Sequence, residues 1–210
     1  MALSKLAANS FDLTDNYALT GTVTGVTSTQ KIFLIKNIDA SSDSTISFVD
    51  GSSSVVLDNT YKTYYFKYIN VHPATNEKAF CVNFRDGGSN YDATKTTSWF
   101  QASHTEGGSS SLAYDGNRDL AQGTGVQQLS TDIGNGNDES VSGELWLFNP
   151  SNTTFVTHFM GTSNGYYAGD ATSNAFCAGY CNTTTAIDAV QFSFVSGNID
   201  SGTIEMYGIN

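Results

Sequence analysis

A chain of 210 residues, 12% aromatic and only 14% charged, can bury one large core but must present a surface built mainly of hydroxyl and amide groups. The formal net charge is −11, and all nine Lys and Arg lie between Lys5 and Arg118, so Asp119–Asn210 holds nine acidic residues and no base. This balance excludes a nucleic-acid footprint and disfavours anionic membranes, since both need clustered positive charge.

Residues 1–16 read as an N-terminal arm or first strand region, and residues 17–210 as a single β-sandwich domain. Met1–Ala8 has one Lys and no apolar run, so no secretory leader is expected. No stretch approaches 18 consecutive apolar residues, so no membrane-spanning segment is expected. Helical periodicity is almost absent. Short alternating or apolar runs predict strands at Tyr17–Thr24, Lys31–Lys36, Ser44–Val49 and Thr60–Val71. Ala79–Arg85 follows as the expected partner of Thr60–Val71, with Phe80, Val82 and Phe84 on one face. Further strands are expected at Trp99–Ala102, Val126–Leu129, Gly143–Phe148 and Thr154–Met160. The last three are Ala175–Tyr180, Ala189–Val195 and Thr203–Tyr207. In Ala189–Val195, Val190, Phe192 and Phe194 point one way and Gln191 and Ser193 the other, the pattern of a sheet with one wet face.

Turn chemistry punctuates these runs. Asp50–Gly51, Asp86–Gly87–Gly88, Asp115–Gly116 and Gly134–Asn135–Gly136–Asn137 supply residues that tolerate positive φ. His72–Glu77 is expected to be a hairpin loop between two strong strands, with Pro73 ending the first. The text of Ser142–Phe148 resembles that of Ser201–Tyr207, each after an Asn/Asp-rich loop, and reads as one turn-then-strand grammar used twice. A dozen short strands at close spacing predict an all-β, antiparallel two-sheet sandwich of jelly-roll type, in which concanavalin-like layering would also fit.

Chemistry-bearing patterns are sparse. His72, His104 and His158 stand in no metal-binding spacing and read as ordinary polar positions. Cys81, Cys177 and Cys181 are odd in number, which argues against a disulfide framework. A Cys177–Cys181 pairing would leave Cys81 alone, so buried free thiols formed in a reducing cytoplasm are expected. No G-x-S-x-G elbow occurs. Carboxylates such as Glu139 and Glu144 have no spacing that marks a glycosidase pair. The stretch Asp132–Glu139, with Asn135, Asn137 and Asp138, is rich in hard oxygen ligands but lacks the EF-hand register, so it reads as turns, with calcium as the sharper alternative. Tyr64, Tyr65, Phe66 and Tyr68 share one strand, and at least half of them must face a core. Gly165-Tyr166-Tyr167-Ala168-Gly169 reads as a loop whose tyrosine pair either packs over the end of the domain or forms a contact surface. No catalytic residue, metal or cofactor is assigned.

Three stretches are familiar together: Tyr65-Phe-Lys-Tyr-Ile-Asn-Val-His-Pro-Ala-Thr-Asn-Glu-Lys-Ala-Phe80, Gly143-Glu-Leu-Trp-Leu-Phe-Asn-Pro-Ser151, and Gly197-Asn-Ile-Asp-Ser-Gly-Thr-Ile-Glu-Met-Tyr-Gly-Ile209. With Met1-Ala-Leu-Ser-Lys and Leu19-Thr-Gly-Thr-Val23, they make the chain resemble virion structural, tail-fibre-like proteins of tailed bacteriophages, especially of marine and cyanobacterial hosts. The resemblance spans most of the chain but consists of strand-and-turn text, so no functional residues come with it. It implies a non-enzymatic structural part of a virion, in the tail or fibre apparatus and touching the host surface. Its expected partners are other virion proteins, further copies of itself in a homotrimer, and a host-surface glycan or protein. A capsid decoration or head-fibre protein is the alternative, and a carbohydrate-binding, lectin-like module is the second. Discriminating observations are the position on the particle for the first and glycan binding for the second.

Overall fold

Strand Thr63–Pro73 shows how this sequence folds. Tyr64, Phe66, Tyr68 and Val71 are buried, while Tyr65 and Lys67 between them point outward, as period-two alternation requires. The computed structural model describes residues 31–210, so the expected arm (residues 1–16) and the expected strand Tyr17–Thr24 lie outside the described residues. Among the described residues there are twelve strands and no helix. They are β1 (Ile32–Asp39), β2 (Ile46–Val49), β3 (Thr63–Pro73), β4 (Lys78–Arg85), β5 (Lys95–Thr105), β6 (Ser110–Tyr114), β7 (Gln127–Ile133), β8 (Val141–Phe148), β9 (Thr157–Tyr167), β10 (Ala171–Cys181), β11 (Ala189–Phe194) and β12 (Ile199–Ile209).

Every pairing is antiparallel. Eight strands follow one another as β1-β12-β3-β8-β9-β10-β5-β6, and four as β7-β4-β11-β2. The two runs join at one residue pair, Ile133↔Tyr167, where β7 takes the place beside β9 that β8 has just vacated. The result is a single curled, nearly closed sheet. Inside the curl, Phe192 on β11 packs against Phe80 (5.7 Å between ring centroids, stacked), Phe66 (5.5 Å), Phe48 (6.2 Å) and Tyr68 (6.4 Å). Phe84 of β4 meets Phe159 of β9 at 4.9 Å. Val190, Phe192 and Phe194 are buried and Gln191 and Ser193 are half-buried, as the alternation predicts.

The expected pairing of Thr60–Val71 with Ala79–Arg85 does not form. β3 pairs with β12 and β8, whereas β4 pairs with β11 and β7. The chain at 74–77 is therefore not a hairpin loop but a crossing between the two runs, after which β3 and β4 meet face to face, with Tyr68 and Phe80 at 5.1 Å. The cause lies in the end of β3. Its register slips on both sides at one level, between Tyr68 and Val71 against β8 and between Ser201 and Thr203 against β12, and Asn70 takes φ 49°. Bulges at matching positions bend the strand, which stays paired at Val71–Pro73 while its direction changes ahead of the crossing.

The repeated text has a structural meaning. Ser142–Phe148 and Ser201–Tyr207 belong to β8 and β12, the two strands that flank β3. Gly143 is needed there because a Cβ would come within 2.8 Å of the Tyr68 ring and of the Ser163 backbone. Tyr68 is held by its hydroxyl, which contacts Ser163 Oγ at 2.5 Å and reaches the Thr162 carbonyl at 3.3 Å. Gly143→Ala should accordingly destabilise the protein by about 1–3 kcal/mol, the usual range for overpacking, read from denaturant midpoints. A Gly143→Ala midpoint equal to wild type would contradict this close approach.

Two other expectations change. Gly165–Gly169 is not a loop: Gly165, Tyr166 and Tyr167 end β9, and only Ala168–Asp170 form the turn to β10. The Gly134–Asn137 run contains no positive φ. Its first glycine is explained by the Glu139 carboxylate, which occupies the space a Cβ would need.

Candidate functional site

Two surfaces bear chemistry beyond the core. The first is a cleft of about 260 Å³ where the inward face of β5 and β10 changes character. Trp99 and Cys177 are buried in the apolar core, but further along the same faces stand Gln101, Ser103 and Ser173. The opposite wall is β7, with Thr131 and Asp132, and the loop carrying Arg118. Tyr167, 39% exposed, closes one end, its ring edge over Gly169 in the β9–β10 turn.

Arg118 organises this wall. Its Nε donates to Asp115 Oδ2 at 3.1 Å and its Nη2 to Asp132 Oδ2 at 3.0 Å. Nη1 donates to Gln128 Oε1, and the guanidinium lies 5.4 Å from the Trp99 ring centroid. A planar five-donor fork stacked on an indole is an orientation that a lysine could not reproduce. The loop is fastened from below: Gln127 Nε2 donates to the Arg118 carbonyl at 3.0 Å, and Thr97 Oγ1 donates to Gln127 Oε1 at 2.7 Å. Across the cleft Ser173 Oγ donates to Gln101 Oε1 at 3.0 Å. Thr131 is only 4% exposed, yet among the described residues its Oγ1 has no hydrogen-bond partner. A buried hydroxyl without a partner is costly and rare.

The second surface is the outer face of the eight-strand run. Strand register places Leu34, Tyr207, Tyr65, Trp146 and Met160 in one row across β1, β12, β3, β8 and β9. Tyr65 lies 4.6 Å from Trp146 and 5.8 Å from Tyr207, centroid to centroid. Leu34 is 55% and Met160 54% exposed. The next row, Glu205, Lys67 and Glu144, alternates in sign, with Lys67 Nζ 3.6 Å from Glu205 Oε2.

The residues singled out from sequence are dispersed. His72 Nδ1 donates to the Glu139 carbonyl at 2.6 Å, His104 lies on β5, and His158 lies on the outer face beside Tyr180. Cys81, Cys177 and Cys181 are buried and free. Cys177 and Cys181 share one face of one strand, about 13 Å apart at four residues' rise, too far for a disulfide. Burial pushes the Cys177 and Cys181 thiols up to about 12, away from nucleophilic or metal-binding use. Glu144 borders a groove with Tyr65 and Lys67, whereas Glu139 turns back to the Gly136 N–H, so the two carboxylates share no cleft. Among the described residues no three His, Cys, Asp or Glu come together as metal ligands, because Asp132 is engaged by Arg118 and Glu139 by its own loop. Of the tyrosine pair, Tyr167 lines the cleft, while the Tyr166 hydroxyl donates to Asp170 Oδ1 at 3.2 Å.

Searches against protein-family models, curated proteins and solved structures find no match to this chain.

Proposed function

We propose that this chain is a non-enzymatic structural component of a tailed-phage virion, part of the tail or fibre apparatus that contacts the host surface, and that it assembles through its outer sheet face. The observation that carries this reading is the row Leu34–Tyr207–Tyr65–Trp146–Met160. A contiguous outward strip of half-buried aromatic rings between exposed Leu34 and Met160 is the signature of an association surface rather than of a solvated one. Its occupant is a second copy of this chain. The Glu205–Lys67–Glu144 row beside it carries both signs, so these faces of neighbouring copies can converge around a threefold axis with opposite charges opposed. Elsewhere the copies, each at net −11, repel. A homotrimer is the stoichiometry proposed. The curled sheet is read as a two-sheet sandwich of jelly-roll type, its layers bridged at Ile133 and Tyr167. Resemblance to tail-fibre-like phage proteins supports the location, and assembly in a reducing host cytoplasm suits three buried free thiols.

Sedimentation velocity and light scattering test the assembly. Wild type should run as a trimer, and the Trp146→Glu, Met160→Glu double variant as a folded monomer with an unchanged circular-dichroism spectrum. A wild type that stays monomeric at every concentration overturns self-association. Immunogold labelling of particles tests the location: label on tails or fibres is expected, and label confined to capsid faces overturns the tail assignment.

A further inference from the structure

We infer that the cleft between Arg118 and Tyr167 is a binding site for one ring of a neutral saccharide. This inference stands on the cleft alone and does not depend on the virion assignment. The lining selects the ligand class by elimination. The Arg118 charge is already met by Asp115 and Asp132, so the wall presents no free positive charge to an anion. The same pairing offsets the charge of both carboxylates, and among the described residues no ligand set for a cation forms there. What remains is hydroxyl and amide groups from Ser103, Thr131, Ser173 and Gln101, with one partly exposed aromatic ring.

A sugar ring answers each of these features. Its hydroxyls both donate and accept, its C–H face is apolar, and it carries no charge. Tyr167 offers an aromatic surface to that face, fixed at a hairpin end. Asp132 retains carboxylate lone pairs beyond those used by Arg118, and arginine fixes their direction. Gln101 uses its carbonyl oxygen on Ser173, which leaves its NH2 to donate. Thr131 supplies the decisive sign. Among the described residues its buried hydroxyl has no partner, and the residue borders the cleft, so a turn of the side chain toward the cleft would give the hydroxyl a ligand partner that the protein does not supply. The cavity, about 260 Å³, is sized for a single ring, with the rest of a chain outside.

The test is titration of the intact protein with glucose, galactose, mannose and N-acetylglucosamine, followed by NMR shifts or calorimetry, together with a glycan array. At least one neutral sugar should bind with weak, roughly millimolar affinity, as a shallow one-ring contact implies. Thr131→Val keeps the side-chain shape and removes the orphan hydroxyl. Its melting temperature should equal or exceed that of wild type while sugar affinity falls about five- to tenfold. Tyr167→Ala should lose at least as much affinity. Sialic acid, an anionic sugar, should bind more weakly than the neutral ones. Three results overturn the inference: no neutral sugar bound by wild type, binding unchanged in both variants, or tighter binding of the anionic sugar.

Discussion

Phe192→Ala should lower the unfolding free energy by about 3–5 kcal/mol, the usual cost of emptying a fully buried aromatic site. For a chain of this size that corresponds to a drop of roughly 6–20 °C in melting temperature. Phe192 is wholly buried and touches Phe48, Phe66, Tyr68 and Phe80, which come from β2, β3 and β4. Its ring therefore ties the four-strand run to the eight-strand run, and the lost contacts include aromatic pairings worth more than their area alone. The surrounding rings sit on strands fixed in register, β2 and β4 on β11 itself and β3 on β12 and β8, so the cavity cannot collapse fully. Phe192→Leu, which keeps more of the volume, should cost less. Phe155→Ala is the matched control, because Phe155 is exposed in the loop before β9 and its loss should change stability by less than about 0.5 kcal/mol. Equal melting curves for the Phe192 and Phe155 variants would show that Phe192 does not bridge the two runs.

The existence of these strands was legible because period-two alternation is a local property. Val190, Phe192 and Phe194 announce their face within six residues. Partnership is not local. Thr60–Val71 and Ala79–Arg85 are both strong strands with seven residues between them, and proximity in sequence suggests a hairpin. The deciding feature is the irregular end of β3 at Asn70, where φ turns positive, and an Asn in a strand carries little warning of that. β6 was invisible for another reason. Ser110–Tyr114 is exposed throughout, so it lacks an apolar face to report, and it exists as the outer half of a hairpin across Gly107–Gly108. The repeated Ser-Gly text was visible, but its cause, two strands flanking the same β3, needed the topology.

The cleft was legible only at Tyr167, whose aromatic pair between glycines stood out from the sequence. Arg118, Asp132 and Thr131 come from different segments and converge through folding. One signal was available: Arg118 is one of two arginines in a chain poor in charge, flanked by Asp115 and Asp119. An arginine between carboxylates marks an organised charge network, though not what the network borders. Asp132 was grouped with the Asn/Asp-rich run after it as a calcium candidate, because composition cannot reveal that an arginine fourteen residues upstream already holds it. The exposed row on the outer face was hidden for the same reason as the strand partners. Leu34, Tyr65, Trp146, Met160 and Tyr207 are single outward residues on five strands, and only their register makes them a surface.

From pH 7 to pH 10 the stability of the wild-type protein should rise relative to that of Lys95→Met, on the order of 2–3 kcal/mol for an amine lowered to about 8. Lys95 is fully buried on β5, and among the described residues no carboxylate forms an ion pair with its ammonium. Nζ donates to Asn83 Oδ1 at 2.5 Å and to the Ala93 carbonyl at 2.7 Å. Burial therefore lowers its pKa from 10.5 to about 8, with Cys181, Asp92 and Asp86 opposing the shift only in part. Below pH 8 the amine is charged in both the folded and the unfolded chain, so the desolvation penalty acts in full. From pH 8 to 10.5 the folded chain has released the proton while the unfolded chain still holds it, so stability rises with pH across that window. Buried thiols and tyrosines work in the opposite sense. Burial holds the Cys177 and Cys181 thiols up at about 12, so wild type and variant alike lose stability as the unfolded chain's thiols ionise above about pH 8.5, and the difference between the two proteins isolates Lys95. Burial holds Tyr64 up at about 12, so its contribution is lost only as pH climbs above 10, and measurements should stop at pH 10. In Lys95→Met the Asn83 amide keeps its bonds to the Phe84 N–H and the Thr124 carbonyl, and only the Ala93 carbonyl loses its donor. Urea unfolding at pH 7, 8, 9 and 10 should thus give a wild-type-minus-variant difference that moves in favour of wild type at each step, while the thiol and tyrosine contributions, common to both, cancel. Parallel series would mean that Lys95 keeps its proton throughout, sheltered by its two oxygen partners, and that burial does not control its titration.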